Sequence, residues 1–532
     1  MVRALHLKQS MHVKIYSADI AGVDAFPVEI EVDVGGGLPG YHLVGLPTTA
    51  VSEGRVRVRS ALVNSGYDIP ARKITVNLAP AEVRKDTSAF DLPIALAILA
   101  GLGFIPKEKF DGILVMGELS LDGYLRPCRG ALPIALLAKE MGVHKLIVPS
   151  ENGSEAALCP GVEVYEGRSL SEIEGFFNGV RELPRAKMGE FRQPKIQPPD
   201  LEDVRGQQGT KRALCVAAAG GHNLLMVGPP GSGKSMLAHR LPGILPQMTV
   251  REALECTKIY SVSGLLNRAD MMQMRPFRSP HHTISTAALL GGGSNPRPGE
   301  LSLAHNGVLF LDEVLEFNRS SLEALRQPLE EKKITICRIK QTVAFPADVL
   351  LVLALNPCPC GHLGDSLKTC VCSDNRISRY RNKLSGPLLD RIDLQLEVPR
   401  LTYEELKNAG KGENTASVRQ KVEQARTIQR FRFRREGENS IQKNSQMNVT
   451  HLKQYCFLED RTEKILKKGV DRLGLSVRAV HRIIKVSRTI ADLEEKEKIL
   501  PEHVAEAIRY RSLDWEYQTS KGKNSGKMRW AS

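Results

Sequence analysis

No stretch of this sequence is apolar for long enough to cross a bilayer. The longest candidate, residues 92–106, is interrupted by glycine and proline and stops short of the about 20 residues that a spanning helix needs. No N-terminal segment combines a basic start, an apolar block and a small-residue cleavage site, so a secretory leader is not expected. Internal repeats are lacking, and 42% hydrophobic with 25% charged residues excludes wholesale disorder and a collagen-like chain. These absences predict a cytoplasmic protein with no membrane partner. Its ten cysteines are then expected as thiols or metal ligands rather than disulfides.

What is present exceeds a single core: 532 residues predict roughly three or four units. The first strand-like run starts at Met11, leaving residues 1–10 as an upstream extension or a misplaced start. Short apolar runs at 28–34, 73–78, 112–116 and 145–148 alternate with helical stretches at 90–102 and 131–141, which reads as an α/β domain over 11–180. Residues 181–200 carry prolines at 184, 194, 198 and 199 among charges and read as a linker. Strands and helices alternate again over 201–400. Residues 401–515 read as helical, with Leu475, Val480, Ile483, Ile484 and Ile490 at helical spacing, so an α/β core followed by a helical lid is expected. A Lys/Gly/Ser-rich tail, 516–532, is expected to be disordered. Of the formal +14, a surplus of +10 lies in residues 401–532, which hold 28 Lys+Arg against 18 Asp+Glu; that asymmetry favours a polyanionic partner such as DNA.

One motif carries chemistry by itself. An apolar run at 223–227 leads into Gly228-Pro229-Pro230-Gly231-Ser232-Gly233-Lys234-Ser235 and a helical stretch from Met236, the strand, loop and helix order of a phosphate-binding loop. In such a loop the glycines let backbone N–H groups curl around phosphate, Lys234 reaches the β- and γ-phosphates of ATP, and Ser235 offers its hydroxyl to Mg²⁺. Further on, the apolar run 308–311 ends in Asp312-Glu313. Asp312 is expected in the magnesium shell, and Glu313 is placed to orient or deprotonate the attacking water. The next apolar run, 349–355, ends at Asn356, which suits a sensor of the γ-phosphate. Arg391 is either a finger reaching a neighbouring subunit's γ-phosphate or a salt-bridged surface arginine. Arg478, with Arg482 one turn on, is a candidate second sensor, because arginine presents fixed bidentate donors.

Cys358-Pro359-Cys360 and Cys370-Val371-Cys372 set two CxC pairs around His362; four thiolates so close in sequence suit a tetrahedral structural Zn²⁺, against ordinary buried or redox-sensitive thiols. Arg430-Phe431-Arg432-Phe433-Arg434-Arg435 interleaves aromatics with charge, as phosphate contact and base stacking require, or as a helix with Phe inward and Arg outward would. His281 and His282 precede a Gly-rich run and suit a pore or inter-subunit role, or simply satisfied polar side chains.

With these residues in view, the sequence from Met11 to about Asp514 resembles the magnesium-chelatase-like AAA+ ATPases of the YifB/ComM family. Its signature stretches are Val44-Gly45-Leu46-Pro47, Phe90-Asp91-Leu92-Pro93, Arg275-Pro276-Phe277-Arg278-Ser279-Pro280-His281-His282-Thr283, Gly291-Gly292-Gly293-Ser294 and Arg488-Thr489-Ile490-Ala491-Asp492-Leu493. The resemblance implies a Lon-protease-like (ribosomal S5 domain 2-like) N-terminal domain, a P-loop AAA+ α/β core and a C-terminal helical lid. It also implies a homo-oligomeric ring, a hexamer, in which Arg391 acts in trans. For ComM-like members it implies translocation on single-stranded or branched DNA that moves branch points during recombination of incoming DNA. The alternatives are the ATPase subunit of a magnesium-chelatase complex and an ATP-driven protein remodeller. Val314-Leu315-Glu316 departs from the Leu-Pro-Glu that relatives tend to have there, with little effect expected, since neither changed residue is a ligand. The Lon-like resemblance keeps Ser88 near the nucleophile position but sets Leu132 where the catalytic lysine falls, and leucine cannot activate a hydroxyl. Proteolysis is therefore not expected of this domain, which would organise the ring or contact DNA.

Overall fold

The computed structural model describes residues 11–188, 198–266, 271–293, 296–338, 341–365, 367–408, 410, 412–434 and 441–511. The tail, residues 1–10, Ser294 and Arg435 lie outside the described residues. The chain forms two compact units, one from the described residues of 1–193, 250–272 and 337–344, the other from those of 194–249, 273–336 and 345–532.

The first unit is built on a seven-stranded sheet ordered Gly40–Val44, Lys73–Ala79, Asp24–Gly35, Met11–Ala21, Ile113–Val115, Lys145–Pro149, Glu163–Gly167. Met11–Ala21 and Asp24–Gly35 pair antiparallel as a hairpin, and Val28, Ile30, Val32 and Val34 alternate into the core, the period of two that a half-covered sheet imposes. From Met11–Ala21 outward through Ile113–Val115 the pairing becomes parallel, as strands joined through helices must be. The Asp91–Gly101 helix, every residue of it buried, contacts this hairpin. A helix apolar on all sides must sit inside a core, so the longest apolar run of the sequence is the centre of this unit. Its one charge, Asp91, pairs with Arg57 Nε at 2.6 Å and sits at the helix N-terminus, where the dipole favours an anion. The Val250–Ser263 helix also belongs here: Leu254 packs against the buried cluster that holds Leu132, Ala135 and Leu158, and Ser261 donates to the buried Glu155.

The second unit holds a parallel five-stranded sheet ordered Phe277–Arg278, Val308–Leu311, Leu350–Leu355, Leu224–Val227, Leu394–Glu397. Val308–Leu311, Leu350–Leu355 and Leu224–Val227 are buried throughout, the unbroken apolar runs of strands covered on both faces. The strand earliest in the chain lies between the last two, so the connections diverge there and open a crevice at the strands' carboxyl ends. The helices Thr415–Arg434, Asp460–Leu473, Val477–Leu493 and Pro501–Arg509 complete the unit. Val418, Val422, Ile483 and Ile490 share one core cluster with Leu224, Met226, Val352 and Leu394. Local chemistry sets the helix ends: Gly474, at φ +62°, closes one helix in the left-handed conformation, and the Ser476 hydroxyl accepts from the Ala479 N–H to start the next. The fold is the mixed α/β class expected from the sequence. No helix among the described residues is long and apolar enough to cross a membrane.

Candidate nucleotide site and thiol cluster

The register Val227↔Leu355 brings the ends of two parallel strands side by side, so the segments that leave them are held next to each other. After Val227 comes the glycine-rich loop. A Cβ on Gly228 would fall 2.2 Å from Val398 O, so only glycine lets this loop leave the sheet. Lys234, mostly buried, donates from Nζ to Gly228 O (2.7 Å), Pro229 O (3.0 Å) and Asn356 Oδ1 (3.3 Å). Burial pushes its ammonium below the ordinary lysine range, while Asp312 and Glu313 pull it back. The Ser235 hydroxyl donates to Asp312 Oδ2 at 2.5 Å. Asp312 Oδ1 accepts the Glu313 N–H at 2.9 Å. Glu313 is exposed and sits at φ 48°, a left-handed conformation that non-glycine residues adopt rarely and that concentrates at functional sites. The buried Ser232 hydroxyl has no hydrogen-bond partner among the described residues. Lys234, Ser235, Asp312 and Asn356 thus form one linked cluster, with Glu313 adjoining it.

The three arginines singled out in the sequence are placed differently. Arg391 is 8% exposed and fully engaged within the chain: its Nε donates to Arg326 O (2.9 Å), Nη1 to Pro387 O (2.7 Å), and Nη2 pairs with Glu330 (2.6 Å). Arg478 is exposed in the first turn of Val477–Leu493. Arg482 pairs with the buried Asp393, which also accepts the Asn223 N–H at 3.1 Å and faces His222 Nδ1 at 3.5 Å. Burial works against the Asp393 carboxylate, yet Arg482 and His222 hold it well below the usual range. Asn223 adds a third link, accepting from Leu351 N at 2.9 Å and donating to Arg391 O at 3.0 Å. Sequence reading missed this His222–Asn223–Asp393–Arg482 network, because it joins three segments 89 and 170 residues apart and no local pattern links them.

The four thiols do converge. Cys358 Sγ lies 3.3 Å from Cys360 Sγ and 3.6 Å from Cys370 Sγ, Cys360 and Cys370 are 3.6 Å apart, and all four sulfurs with Cys372 lie within 4.8 Å of one another. Backbone N–H groups of His362 and Val371 directed at the Cys360 sulfur favour its thiolate and hold its pKa at about 6. His362 is not part of the group; its Nδ1 faces Asp365 at 3.1 Å.

Elsewhere, the Ser88 hydroxyl donates to Glu118, and Leu132 is fully buried in the Ala131–Glu140 helix, its N–H donating to Glu155 at 3.0 Å. The described part of the Arg/Phe run ends the Thr415–Arg434 helix. Phe433 is buried, Phe431 exposed, and Arg432 turns inward to pair with the buried Asp492. His281 and His282 stack with ring centroids 4.0 Å apart, and His281 Nδ1 bonds Thr283 Oγ1 at 2.9 Å.

Comparison with known proteins places these features in a family. Residues 200–406 match magnesium chelatase, subunit ChlI; residues 30–152 match subunit ChlI of Mg-chelatase; residues 412–511 match the ChlI C-terminal region. The chain is 46% identical over 506 residues to the competence protein ComM of Haemophilus influenzae, covering 94% of this chain and 97% of that protein. It is 43% identical over 501 residues to the uncharacterized protein YifB of Escherichia coli, with the same coverage. A shorter likeness, 25% over 166 residues and 29% of each chain, joins it to Lon protease 2 of Bacillus subtilis.

Proposed function

The chain belongs to the magnesium-chelatase-like AAA+ ATPases of the YifB/ComM family, and on that premise we propose that it is an ATP-driven DNA motor, a hexameric helicase that promotes branch migration during recombination. The observation that carries the motor is the Lys234–Ser235–Asp312–Asn356 cluster beside the exposed Glu313.

The loop fits a triphosphate with magnesium. Gly228 leaves no room for a side chain, and Gly231 and Gly233 adopt φ +77° and +90°, so backbone N–H groups are free to converge. The unpartnered Ser232 hydroxyl supplies a further donor. Ser235 and Asp312 would hold Mg²⁺, which neutralises phosphate charge when bound. Lys234 exchanges loop carbonyls for β- and γ-phosphate oxygens, Asn356 orients from the side, and Glu313 holds and deprotonates the attacking water. Arg391 would complete the site across a ring interface, exchanging Glu330 for a neighbour's phosphate, and Arg478 would serve as the second sensor.

DNA as partner is supported by the +10 surplus of residues 401–532 and by the likeness to a competence protein. A hydrolytic role for the first unit is disfavoured, since Leu132 stands where the Lon-like resemblance sets the catalytic lysine and offers no base. For the thiols we propose Zn²⁺. A tetrahedron with Zn–S bonds of about 2.3 Å has edges of about 3.8 Å, and the sulfur separations of 3.3 and 3.6 Å sit close to that spacing.

Three-strand branch migration tests the function. The chain with ATP and Mg²⁺ should move the branch point, and Lys234→Ala should not. Failure of the wild type, together with stimulation of its turnover by a protein substrate instead of DNA, would favour the remodeller.

A further inference from the structure

The thiol cluster lies against the phosphate loop rather than apart from it. Three contacts in succession join the two segments that leave the paired strands. Gly228 N donates to Leu355 O at 3.2 Å, Lys234 reaches Asn356 at 3.3 Å, and Gly361 packs on Pro230 so closely that a Cβ there would fall 2.6 Å from the proline Cδ. Pro230 is the third residue of the phosphate loop, and Gly361 directly follows Cys360. The chain reaches this position through a tight turn, Cys358-Pro359-Cys360-Gly361, closed by Gly361 N to Cys358 O at 2.9 Å. Proline at the second place of the turn presets its φ, and Gly361 takes φ +82°, where any other residue is strained. Cys358 is wholly buried. The described residues from Asn356 to Ser373 have no regular secondary structure, so no ladder of backbone bonds among them holds this turn where it is. Cross-linking through the cluster is what closes the loop between the two CxC pairs.

We propose that the metal held by Cys358, Cys360, Cys370 and Cys372 braces the phosphate loop through Gly361 and Pro230, so that nucleotide affinity depends on the metal being loaded. The inference rests on the zinc reading above. Loading the cluster deprotonates its thiols and releases their protons to water. The bound ion then fixes the Cys358–Gly361 turn, the turn fixes the Pro230 end of the loop, and the loop's N–H groups stay aimed for phosphate. Without the ion the turn loosens, and the loop samples conformations in which Pro229-Pro230 no longer present the following N–H groups together. Losing one hydrogen bond to a charged phosphate costs about 10- to 100-fold in affinity.

The experiment uses the full chain. Metal content is measured as zinc released per chain to a chromophoric chelator, fold by circular dichroism and Tm, and nucleotide affinity by titration with a fluorescent ATP analogue in Mg²⁺ after the chelator has been removed. The proposal expects about one zinc per chain, an affinity that falls about 10- to 100-fold on metal removal with the helical signal kept, and recovery on adding Zn²⁺ or Co²⁺. Gly361→Ala provides the independent arm: it retains all four thiols, so zinc content should be unchanged while affinity falls. A chain without zinc would overturn the zinc reading and this inference together. Zinc that binds and leaves with no change in nucleotide affinity would overturn the brace alone. Should metal removal unfold the chain, Cys372→Ser decides in the folded chain as Zn²⁺ is titrated back: affinity that rises with zinc content sustains the brace, and affinity indifferent to zinc content refutes it.

Discussion

Lys234 and Glu313 do different work, and their substitutions should separate it. Lys234 makes three polar contacts around the loop, so Lys234→Ala is expected to abolish nucleotide binding in an equilibrium titration. Among the described residues Glu313 makes no comparable contact to the loop, and it is exposed to solvent. Glu313→Gln should therefore bind nucleotide as the wild type does while its turnover falls about 10²- to 10⁴-fold. Equal loss of binding in both variants would place Glu313 in the loop's structure instead of its chemistry. A second residue ties stability to pH. His222 is entirely buried, and desolvation pushes its pKa below the ordinary value against the pull of Asp393. The folded state thus takes up fewer protons than the unfolded one. Stability is expected to fall as pH drops through about 6.5, the unfolded value. Tm measured at about pH 7.5 and about pH 5.5 should differ less in His222→Gln than in the wild type; an unchanged difference would assign the pH dependence to other groups. At this scale the site was half legible. The phosphate loop, Asp312-Glu313 and the cysteine pairs could be read because their chemistry is contiguous in the chain. His222, Asn223 and Asp393 could not, since a buried network joins residues whose proximity only the fold creates.

Among the elements, the Thr415–Arg434 helix shows how a local pattern misleads. Alternating Phe and Arg suggests either stacking on bases or phenylalanines inward with arginines outward, and the inward–outward split holds for Phe433 but not for Phe431 or Arg432. At 100° per residue, positions two apart lie on opposite sides of a helix, so Phe433 enters the core while Phe431 stays 66% exposed, and Arg432 is drawn in by Asp492. Phe433→Ala should lower the unfolding free energy by about 3–5 kcal/mol, against a small change for Phe431→Ala, measured by chemical denaturation. Similar losses in both would contradict this packing. The runs at 73–78, 145–148, 308–311 and 349–355 and the Asp91–Gly101 helix were legible within a residue or two, whereas Asp24–Gly35 starts four residues before the run at 28–34, and Gly40–Val44, Glu163–Gly167 and Leu394–Glu397 are too short or too mixed to leave an apolar signature. The passage of residues 250–272 and 337–344 into the first unit was not legible either, since helix and strand propensities say nothing about which core an amphipathic face will meet.

For the whole molecule, ring assembly would give Arg391 a role that a single chain leaves open. Arg391 is held by Arg326, Pro387 and Glu330, so a neighbour's phosphate must compete with a formed ion pair before the finger can act. The charge surplus of residues 401–532 would supply the attraction for the proposed DNA partner, and binding through phosphate contacts would then weaken steeply with salt. Both features meet in one quantity, the rate of ATP hydrolysis by the full chain, measured at modest salt without DNA, with single-stranded DNA and with forked DNA, Glu313→Gln serving as the blank. The expected result is a low basal rate that DNA raises and that added salt returns to baseline. A rate that DNA leaves unchanged, in a chain that also fails to bind DNA at that salt, would contradict the DNA motor.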